Sequence, residues 1–227
     1  MSLYALSDLH LSFSDNKSME IFRGWDNYIE RIEKNWRHLI TEDDTVVING
    51  DVSWALSLEG AVRDFAFIEG LPGKKIISKG NHDYWWNTMS KMKKFLEENN
   101  FSSISILHNN CIETEKFAVC GTRGWVYDGS GEFDEKVIAR ECARLETSIK
   151  AAQQTELMPA VFLHYPPVYG EEVCSEILSV LKMHNIEQIY YGHIHGAGRN
   201  QSVSEYDGIK MRLVSCDCVD FTPVFVG

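Results

Sequence analysis

The chain has 227 residues, of which 44% are hydrophobic, and a formal net charge of -11. A chain of this length and composition buries a sizeable core, and we predict a single domain over residues 1–227. The acidic charge is spread along the sequence, which disfavours long nucleic acid as a partner because phosphate backbones bind basic surfaces.

The sequence shows no sign of export or of a membrane anchor. The first residues lack a basic region and reach a carboxylate at Asp8, unlike a secretory signal. No apolar stretch approaches the length of a membrane span. The cysteines form no paired framework, so we expect a protein of the reducing cytoplasm. Cys216 and Cys218 are interpreted as small apolar side chains on one face of a strand, not as a thiolate metal site.

Short apolar runs alternate along the chain with segments of helical periodicity. The runs are typical of buried strands and lie at Leu3–Leu6, 46–48, 76–77, 161–163 and 189–191. Apolar residues spaced by three and four predict helices, which we place at 25–39, 57–69, 88–98, 138–152 and 173–183. Because parallel strands need crossover connections, this alternation predicts an α/β fold with a parallel or mixed sheet.

Two segments depart from that alternation and predict hairpins. Residues 111–121 turn near Glu115, and Asp207-Gly208 supplies the positive φ angles of a tight turn. Residues 209–226 are expected to be rich in strands, with Pro223 at an edge.

Each of the five apolar runs leads directly into a polar cluster. The clusters are Asp8-Leu9-His10, Gly50-Asp51, Gly80-Asn81-His82-Asp83, His164 and Gly192-His193-Ile194-His195. Binding sites of open α/β sheets lie beyond the carboxyl ends of the strands, so these clusters are expected to converge. Each alone is equally consistent with a turn or an exposed side chain. Together they offer carboxylate, amide and imidazole donors without thiolate, which suits two adjacent divalent cations.

The order Asp-x-His, Gly-Asp, Gly-Asn-His-Asp, His, Gly-His-x-His resembles the motifs of the calcineurin-like metallophosphoesterase superfamily. The resemblance runs from Asp8 to His195 and implies a four-layer α/β/β/α sandwich, with two mixed sheets flanked by helices and two metals at the rim. By motif position, the first metal would be held by Asp8, His10, Asp51 and His195. The second would be held by Asp51, Asn81, His164 and His193.

The resemblance also implies a reaction. A bridging Asp51 offsets the repulsion between cations about 3.5 to 4 Å apart, and a hydroxide shared between them attacks the phosphoryl group. Manganese, iron and zinc all suit these donors. His82 would stabilise the transition state or protonate the leaving oxygen, and Asp83 would orient it through a hydrogen bond. Alternatively, His82 would be a third metal ligand or would stabilise its loop.

Two departures from the protein phosphatases of this superfamily narrow the substrate. Their Gly-Asp-x-x-Asp-Arg-Gly motif carries a phosphate-gripping arginine, whereas this chain has Trp54-Ala55 after Gly50-Asp51-Val52-Ser53. Asp83 also stands where they have glutamate. The sequence is therefore more similar to the smaller bacterial phosphohydrolases and phosphodiesterases.

Three further residues are candidates for substrate binding. Arg123 could replace the missing arginine, with a surface salt bridge as the alternative. Tyr84 and Trp85 could form an aromatic wall, with ordinary packing as the alternative, and Trp54 has the same ambiguity. His38, His108 and His184 lie outside the clusters and are interpreted as non-catalytic.

The sequence predicts a phosphoesterase that hydrolyses a small phosphomonoester or phosphodiester. A nuclease of the same superfamily is one alternative, and it would need a positively charged groove that binds the nucleic-acid strand. A catalytically silent metal-binding scaffold is the other, since a fold does not guarantee activity. Such a scaffold would be free to lose ligands, whereas every motif position is filled here.

Overall fold

The computed structural model describes residues 1–15, 17–125 and 135–227. Its α-helices are α1 (Tyr28–Leu39), α2 (Leu58–Glu69), α3 (Met89–Glu98), α4 (Glu135–Gln153) and α5 (Ser175–Met183). Its longer strands are β1 (Leu3–Leu6), β2 (Thr45–Asn49), β3 (Lys74–Ser78), β4 (Ile104–Ile106), β6 (Phe117–Thr122), β7 (Met158–Leu163), β10 (Gln188–Tyr191) and β12 (Ile209–Leu213). Two-residue strands are β5 (Ile112–Glu113), β8 (Val168–Tyr169), β9 (Glu172–Val173), β11 (Glu205–Tyr206) and β13 (Val224–Phe225).

The strands form two large mixed sheets. The first has the order β13-β1-β2-β3-β4, in which β1 to β4 are parallel and the edge strand β13 is antiparallel to β1. The second has the order β11-β12-β10-β7-β6-β5, with four parallel central strands and an antiparallel strand at each edge. The parallel strands of each sheet therefore end at a common rim.

Three apolar clusters define the layers of the fold. Alternate residues of the first sheet pack against α1, α2 and α3, with Trp36 and Phe65 among the largest buried side chains. Alternate residues of the second sheet pack against α4 and α5. The opposite faces of the two sheets pack on each other through residues such as Val47 and Phe162. This arrangement is the α/β/β/α sandwich that the family resemblance implies.

Most of the predicted elements are confirmed with shifts of a few residues. Both hairpins form: β5 pairs with β6, and β11 pairs with β12 across Asp207 and Gly208, whose φ angles are 50° and 83°. Helix α2 begins after Ser57, whose side chain accepts a hydrogen bond from the backbone of Gly60. None of the helices in the described ranges combines the length and apolar character needed to cross a bilayer.

The strand predicted at Cys216 and Cys218 is wrong. The segment Cys216–Val219 is a 3-10 helix that follows β12, and it ends at Asp220 in the left-handed conformation. The spacing of the two cysteines is equally compatible with a tight helical turn, so periodicity over three residues could not distinguish a strand from a helix. All six cysteines are free thiols.

Candidate metal centre

The five polar clusters meet at the rim where the parallel strands end. Asp8 follows β1 and Asp51 follows β2 in the first sheet, whereas His164 follows β7 and His193 follows β10 in the second. At this rim Asp8, His10, Asp51 and His193 have φ angles of 62°, 45°, 51° and 70°. Left-handed backbone is uncommon outside glycine and is concentrated at functional sites, because it costs free energy that the surrounding fold must offset.

Asp8, His10 and His195 form the first group of potential ligands. Their donor atoms all lie within 4.8 Å of one another. The Nε2 atom of His195 is 3.4 Å from Oδ1 of Asp8 and 3.3 Å from Nε2 of His10. Two imidazole nitrogens and a carboxylate oxygen thus converge on one point, as a cation requires.

Asp51, His164 and His193 form the second group, with the same 4.8 Å limit between donor atoms. Asn81 joins them, since its Oδ1 lies 2.9 Å from Nε2 of His164 and 2.9 Å from Nδ1 of His193. Asp51 faces both groups, because its Oδ2 is 3.5 Å from Nε2 of His164 and 3.9 Å from Nε2 of His10. Among the described residues, Asp51 is the only one whose carboxylate lies between the two groups.

Hydrogen bonds outside the two groups set the imidazole tautomers. Nδ1 of His164 lies 3.0 Å from the backbone oxygen of Asn49, and Nδ1 of His195 lies 2.8 Å from Oδ1 of Asp217. Because a carbonyl and a carboxylate only accept, both Nδ1 atoms carry the hydrogen. The Nε2 atoms of both rings are then the ones that face the potential metal sites.

The carboxylates create a field that favours positive charge. Burial would raise the pKa of Asp8, but His195 and the neighbouring imidazoles hold it well below its usual range. Burial would likewise raise the pKa of Asp51, but His164 lowers it to about 2. Conversely, burial would lower the pKa values of His164 and His195, but Asp51 raises the first to about 9 and Asp8 raises the second to about 10. A field that favours a proton on these rings also favours a divalent cation in its place.

The other two histidines stay neutral. Burial and neighbouring imidazoles lower the pKa values of His10 and His193 to about 4 each, although Asp8 and Asp51 oppose the shift. Neutral imidazole is the form that binds metals, and the buried carboxylates supply compensating charge. The donor set therefore fits two divalent cations of borderline hardness.

Glycines permit the close approach of the loops that carry these groups. A Cβ atom on Gly80 would lie 2.1 Å from Oδ1 of Asp51, and one on Gly192 would lie 2.0 Å from Oγ of Ser7 and 2.6 Å from Oδ2 of Asp8. Real side chains do not tolerate such contacts, so both positions require glycine.

Asp83 does not orient His82, and this part of the sequence interpretation is wrong. The Asp83 carboxylate instead accepts hydrogen bonds, at 2.7, 2.9, 2.8 and 3.1 Å respectively, from the backbone N–H groups of Gly80, Asp51 and Val52 and from the indole of Trp85. Burial, reinforced by the charge of Asp51, raises the pKa of Asp83 to about 7. Through these hydrogen bonds the Asp83 carboxylate links the loop after β2 to the loop after β3, and the four donors occupy the acceptor sites that an imidazole would need.

His82 lies beside the two groups without belonging to either. Its backbone N–H donates to Oδ1 of Asp51 at 2.8 Å, and its ring centroid is 4.5 Å from that of Trp54 and 5.7 Å from that of His10. Nδ1 of His82 is buried and has no hydrogen-bond partner in the described part of the chain. Trp54 stacks on His10 at 4.8 Å, so it forms part of the wall of the centre.

The three predicted substrate contacts have different surroundings. Trp85 is 1% exposed and packs edge-on against Phe65, so it belongs to the core and cannot contact a substrate. Tyr84 is 58% exposed, with its ring 6.1 Å from that of His82. The guanidinium of Arg123 lies 5.9 Å from the ring centroid of Tyr165, which is 4.4 Å from that of His193. Tyr84 and Arg123 thus remain candidates.

Sequence reasoning missed two residues that support Asp8 and His195. Ser215 donates from Oγ to Oδ2 of Asp8 at 2.9 Å. Asp217 accepts from His195 and, through Oδ2, from the backbone N–H of Gly196 at 2.7 Å. The carboxylate between Cys216 and Cys218 is the only sequence signal that points to this role.

A sequence model described as calcineurin-like phosphoesterase matches residues 1–197. The Gene 66 protein of Mycobacterium phage L5 is 36% identical over 80 residues, which cover 34% of this chain and 37% of the phage protein. The matched segment thus spans little more than a third of that relative.

Two solved structures are similar over most of the chain. AQ665, a protein of unknown function from Aquifex aeolicus, has a TM-score of 0.51 at 16% identity, with 99% of this chain and 95% of that chain covered. TT1561 of Thermus thermophilus has a TM-score of 0.52 at 15% identity, with 85% and 81% covered. At such low identity, the likeness concerns the fold alone.

Proposed function

The chain belongs to the calcineurin-like phosphoesterase family, and from that premise we propose that it hydrolyses a small phosphomonoester or phosphodiester with two divalent cations. The observation that carries the proposal is the placement of Asp51 between two groups of ligands. Asp8, His10 and His195 would hold one cation, and Asn81, His164 and His193 the other, with Asp51 shared.

When bound, the two cations supply Lewis acidity that activates water and offsets charge on the phosphoryl group. The protein residues position the two cations and neutralise part of their charge. Asn81 contributes a neutral oxygen, which leaves the loaded site net positive and attractive to a phosphate anion. Asp83 holds the loops that carry Asp51 and Asn81 in register. His82, beside both groups of ligands, would donate a hydrogen bond to the phosphoryl group or a proton to the leaving oxygen.

Two observations favour a small substrate over a nucleic acid. The net charge of -11 opposes a long polyanion. Trp54, stacked on His10, narrows the approach to the centre from one side. A nuclease therefore remains the second candidate, supported only by the reaction chemistry that it shares with smaller diesters.

The proposal is tested by metal analysis and assay of the purified protein. We expect about two equivalents of manganese, iron or zinc after loading, together with turnover of p-nitrophenyl phosphate or bis-p-nitrophenyl phosphate. Full occupancy without turnover of either compound would instead indicate a silent scaffold.

Replacing the shared carboxylate tests the arrangement itself. Asp51→Asn removes one negative charge from between the two groups, so we expect weaker metal binding and lower activity together. Both losses are measured on one preparation, by metal analysis and by the p-nitrophenyl phosphate assay. The exposed Asp220→Asn serves as the control, and normal metal content in Asp51→Asn would contradict the shared role.

A further inference from the structure

A basic cavity of about 330 Å³ lies beside the candidate metal centre, and the proposed reaction does not use most of its residues. Its lining includes four cationic side chains, those of Lys79, Arg123, Arg140 and Arg144, and one carboxylate, that of Glu141. In a chain with a net charge of -11, this concentration of positive charge runs against the overall balance.

The fold brings these cations together from three elements. Lys79 follows β3 and precedes Asn81 by two residues, and Arg123 follows β6. Arg140 and Arg144 lie one turn apart on α4, so they face the same side of that helix. The cavity therefore lies at the rim where both sheets end, on the side of the centre that holds Asn81 and His193.

Internal ion pairs neutralise only part of this charge. Glu141 is fully buried and accepts hydrogen bonds from Nη1 of Arg144 and Oγ1 of Thr122, each at 2.7 Å. Within residues 1–15, 17–125 and 135–227, no carboxylate lies within ion-pair distance of Lys79, Arg123 or Arg140. Among the described lining residues, the single carboxylate of Glu141 thus faces four cationic side chains.

The crowding of these cations affects a neighbouring histidine. Burial lowers the pKa of His108, another lining residue, and the charges of Arg144 and Lys79 lower it further. Like charges gathered without a partner are stabilised by an anion, and arginine forks match phosphate oxygens in particular.

Tyr165 connects the cavity residue Arg123 to the candidate centre. The backbone N–H of Tyr165, the residue after His164, donates to the backbone oxygen of Arg123 at 2.8 Å. The Tyr165 ring centroid lies 5.9 Å from the Arg123 guanidinium and 4.4 Å from the His193 ring centroid. The cavity therefore adjoins the second group of ligands, through Tyr165 and through Lys79, two residues before Asn81.

We propose that the cavity binds a second phosphate group of the substrate, so that the preferred substrate is a small ester with two separate phosphates. This inference rests on the proposed function, which places the phosphate that is cleaved at the metal centre. Lys79, Arg123 and Arg140 bind the phosphate that is retained. Arg144 stays paired with Glu141 and fixes the cavity wall.

The kinetic test compares adenosine 3′,5′-bisphosphate with adenosine 5′-monophosphate on the manganese-loaded protein. We expect the bisphosphate to have the higher kcat/KM. In the double variant Lys79→Gln/Arg140→Gln, the ratio of the two kcat/KM values should fall by about tenfold or more, the effect of losing charged hydrogen bonds. Lys150→Gln, on an exposed part of α4, is the matched control and should leave the ratio unchanged.

A binding test separates the cavity from the reaction. Calorimetric titration of the chelator-treated protein with inorganic phosphate reports the cavity without metal-bound phosphate. We expect affinity to fall by about tenfold in the double variant and to be unchanged in Lys150→Gln, with thermal unfolding confirming that each variant is folded. Equal phosphate binding by wild type and double variant would overturn the cavity as an anion site. An unchanged kcat/KM ratio would overturn its role in substrate choice, whereas absence of turnover with any ester would count against the proposed function alone.

Discussion

At the residue scale, the hydrogen bonds behind each histidine decide which ring nitrogen faces the centre. The backbone of Asn49 fixes His164, and the carboxylate of Asp217 fixes His195. A charged acceptor also makes the imidazole a stronger ligand than a neutral acceptor does. His195 is therefore the ligand whose behaviour depends most on a residue outside the motifs.

Removing the charge of Asp217 should weaken the first metal site. In Asp217→Asn, the hydrogen bond to His195 loses its charged acceptor, and we expect metal affinity to fall by roughly 10 to 100-fold. Competition with a chelating dye measures this change. Asp207→Asn, in an exposed turn, is the matched control because asparagine tolerates the same left-handed backbone. Equal affinities in the two variants would show that Asp217 has only a structural role.

His82 should separate catalysis from metal binding. Its contact with Asp51 is made by the backbone, so His82→Ala removes the imidazole and keeps that hydrogen bond. We expect turnover to fall by about a hundredfold or more, as for loss of a general acid, with metal content largely preserved. The exposed His38→Ala is the control. Substantial metal loss in His82→Ala would instead identify this histidine as a ligand.

At the element scale, the loop between α1 and β2 is held by Asp44. Its carboxylate accepts from the backbone N–H of Thr41 at 2.9 Å and its hydroxyl at 2.7 Å, and from the backbone N–H of Ser2 at 2.8 Å. The contact to Ser2 fixes the start of β1 beside β2, and therefore the register of the two strands that carry Asp8 and Asp51.

Asp44 should make the stability of the fold depend on pH. Burial opposes its ionisation, but the hydrogen bonds from Thr41 and Ser2 lower its pKa below the usual 3.8. Because the folded-state pKa is lowered, the stabilisation is complete above about pH 4 and is lost as the pH falls through the folded-state value. We expect Asp44→Asn to lower the free energy of unfolding by about 1 to 3 kcal/mol at pH 7.

Urea unfolding at several pH values measures this dependence. The difference in the free energy of unfolding between wild type and Asp44→Asn should narrow below pH 4. Asp43→Asn, at the neighbouring exposed position, is the control. A difference that stays constant down to pH 3 would rule out the charged hydrogen bonds as its source.

At the scale of the whole molecule, the candidate centre lies across the junction of the two sheets. Asp8, Asp51 and Asn81 come from the first sheet, and His164, His193 and His195 from the second. The junction already has a polar contact, because the buried side chain of Asn49 in β2 donates to the backbone oxygen of Leu163 in β7 at 2.8 Å. Bound cations would therefore link the two halves of the sandwich.

Removal of the cations should destabilise the entire fold. A ligand that binds only the folded state at about 100 times its Kd adds about 2.7 kcal/mol, which corresponds to roughly 5 to 10 °C in Tm for a chain of this size. We expect chelation of the metal-loaded protein to lower Tm by that amount, measured by calorimetry. The same treatment should have a smaller effect on Asp51→Asn. If chelation left the wild-type Tm unchanged, that result would contradict the claim that bound cations link the two sheets.

The sequence alone determined the α/β class, most of the helices and central strands, and the order of the polar clusters, since apolar periodicity and short motifs are local properties of the chain. The four-layer sandwich was implied by the family resemblance that those motifs carry. The single domain over residues 1–227 stays a prediction. Only the tertiary structure decided that Trp85 is a core residue, that Asp83 binds loop backbone instead of His82, and that Asp217 supports His195. It also brought Lys79 next to the arginines of α4. Some of these contacts join residues that are distant in sequence, and others are decided by which of several donors reaches one acceptor. Which contacts form therefore depends on how the sheets and helices pack.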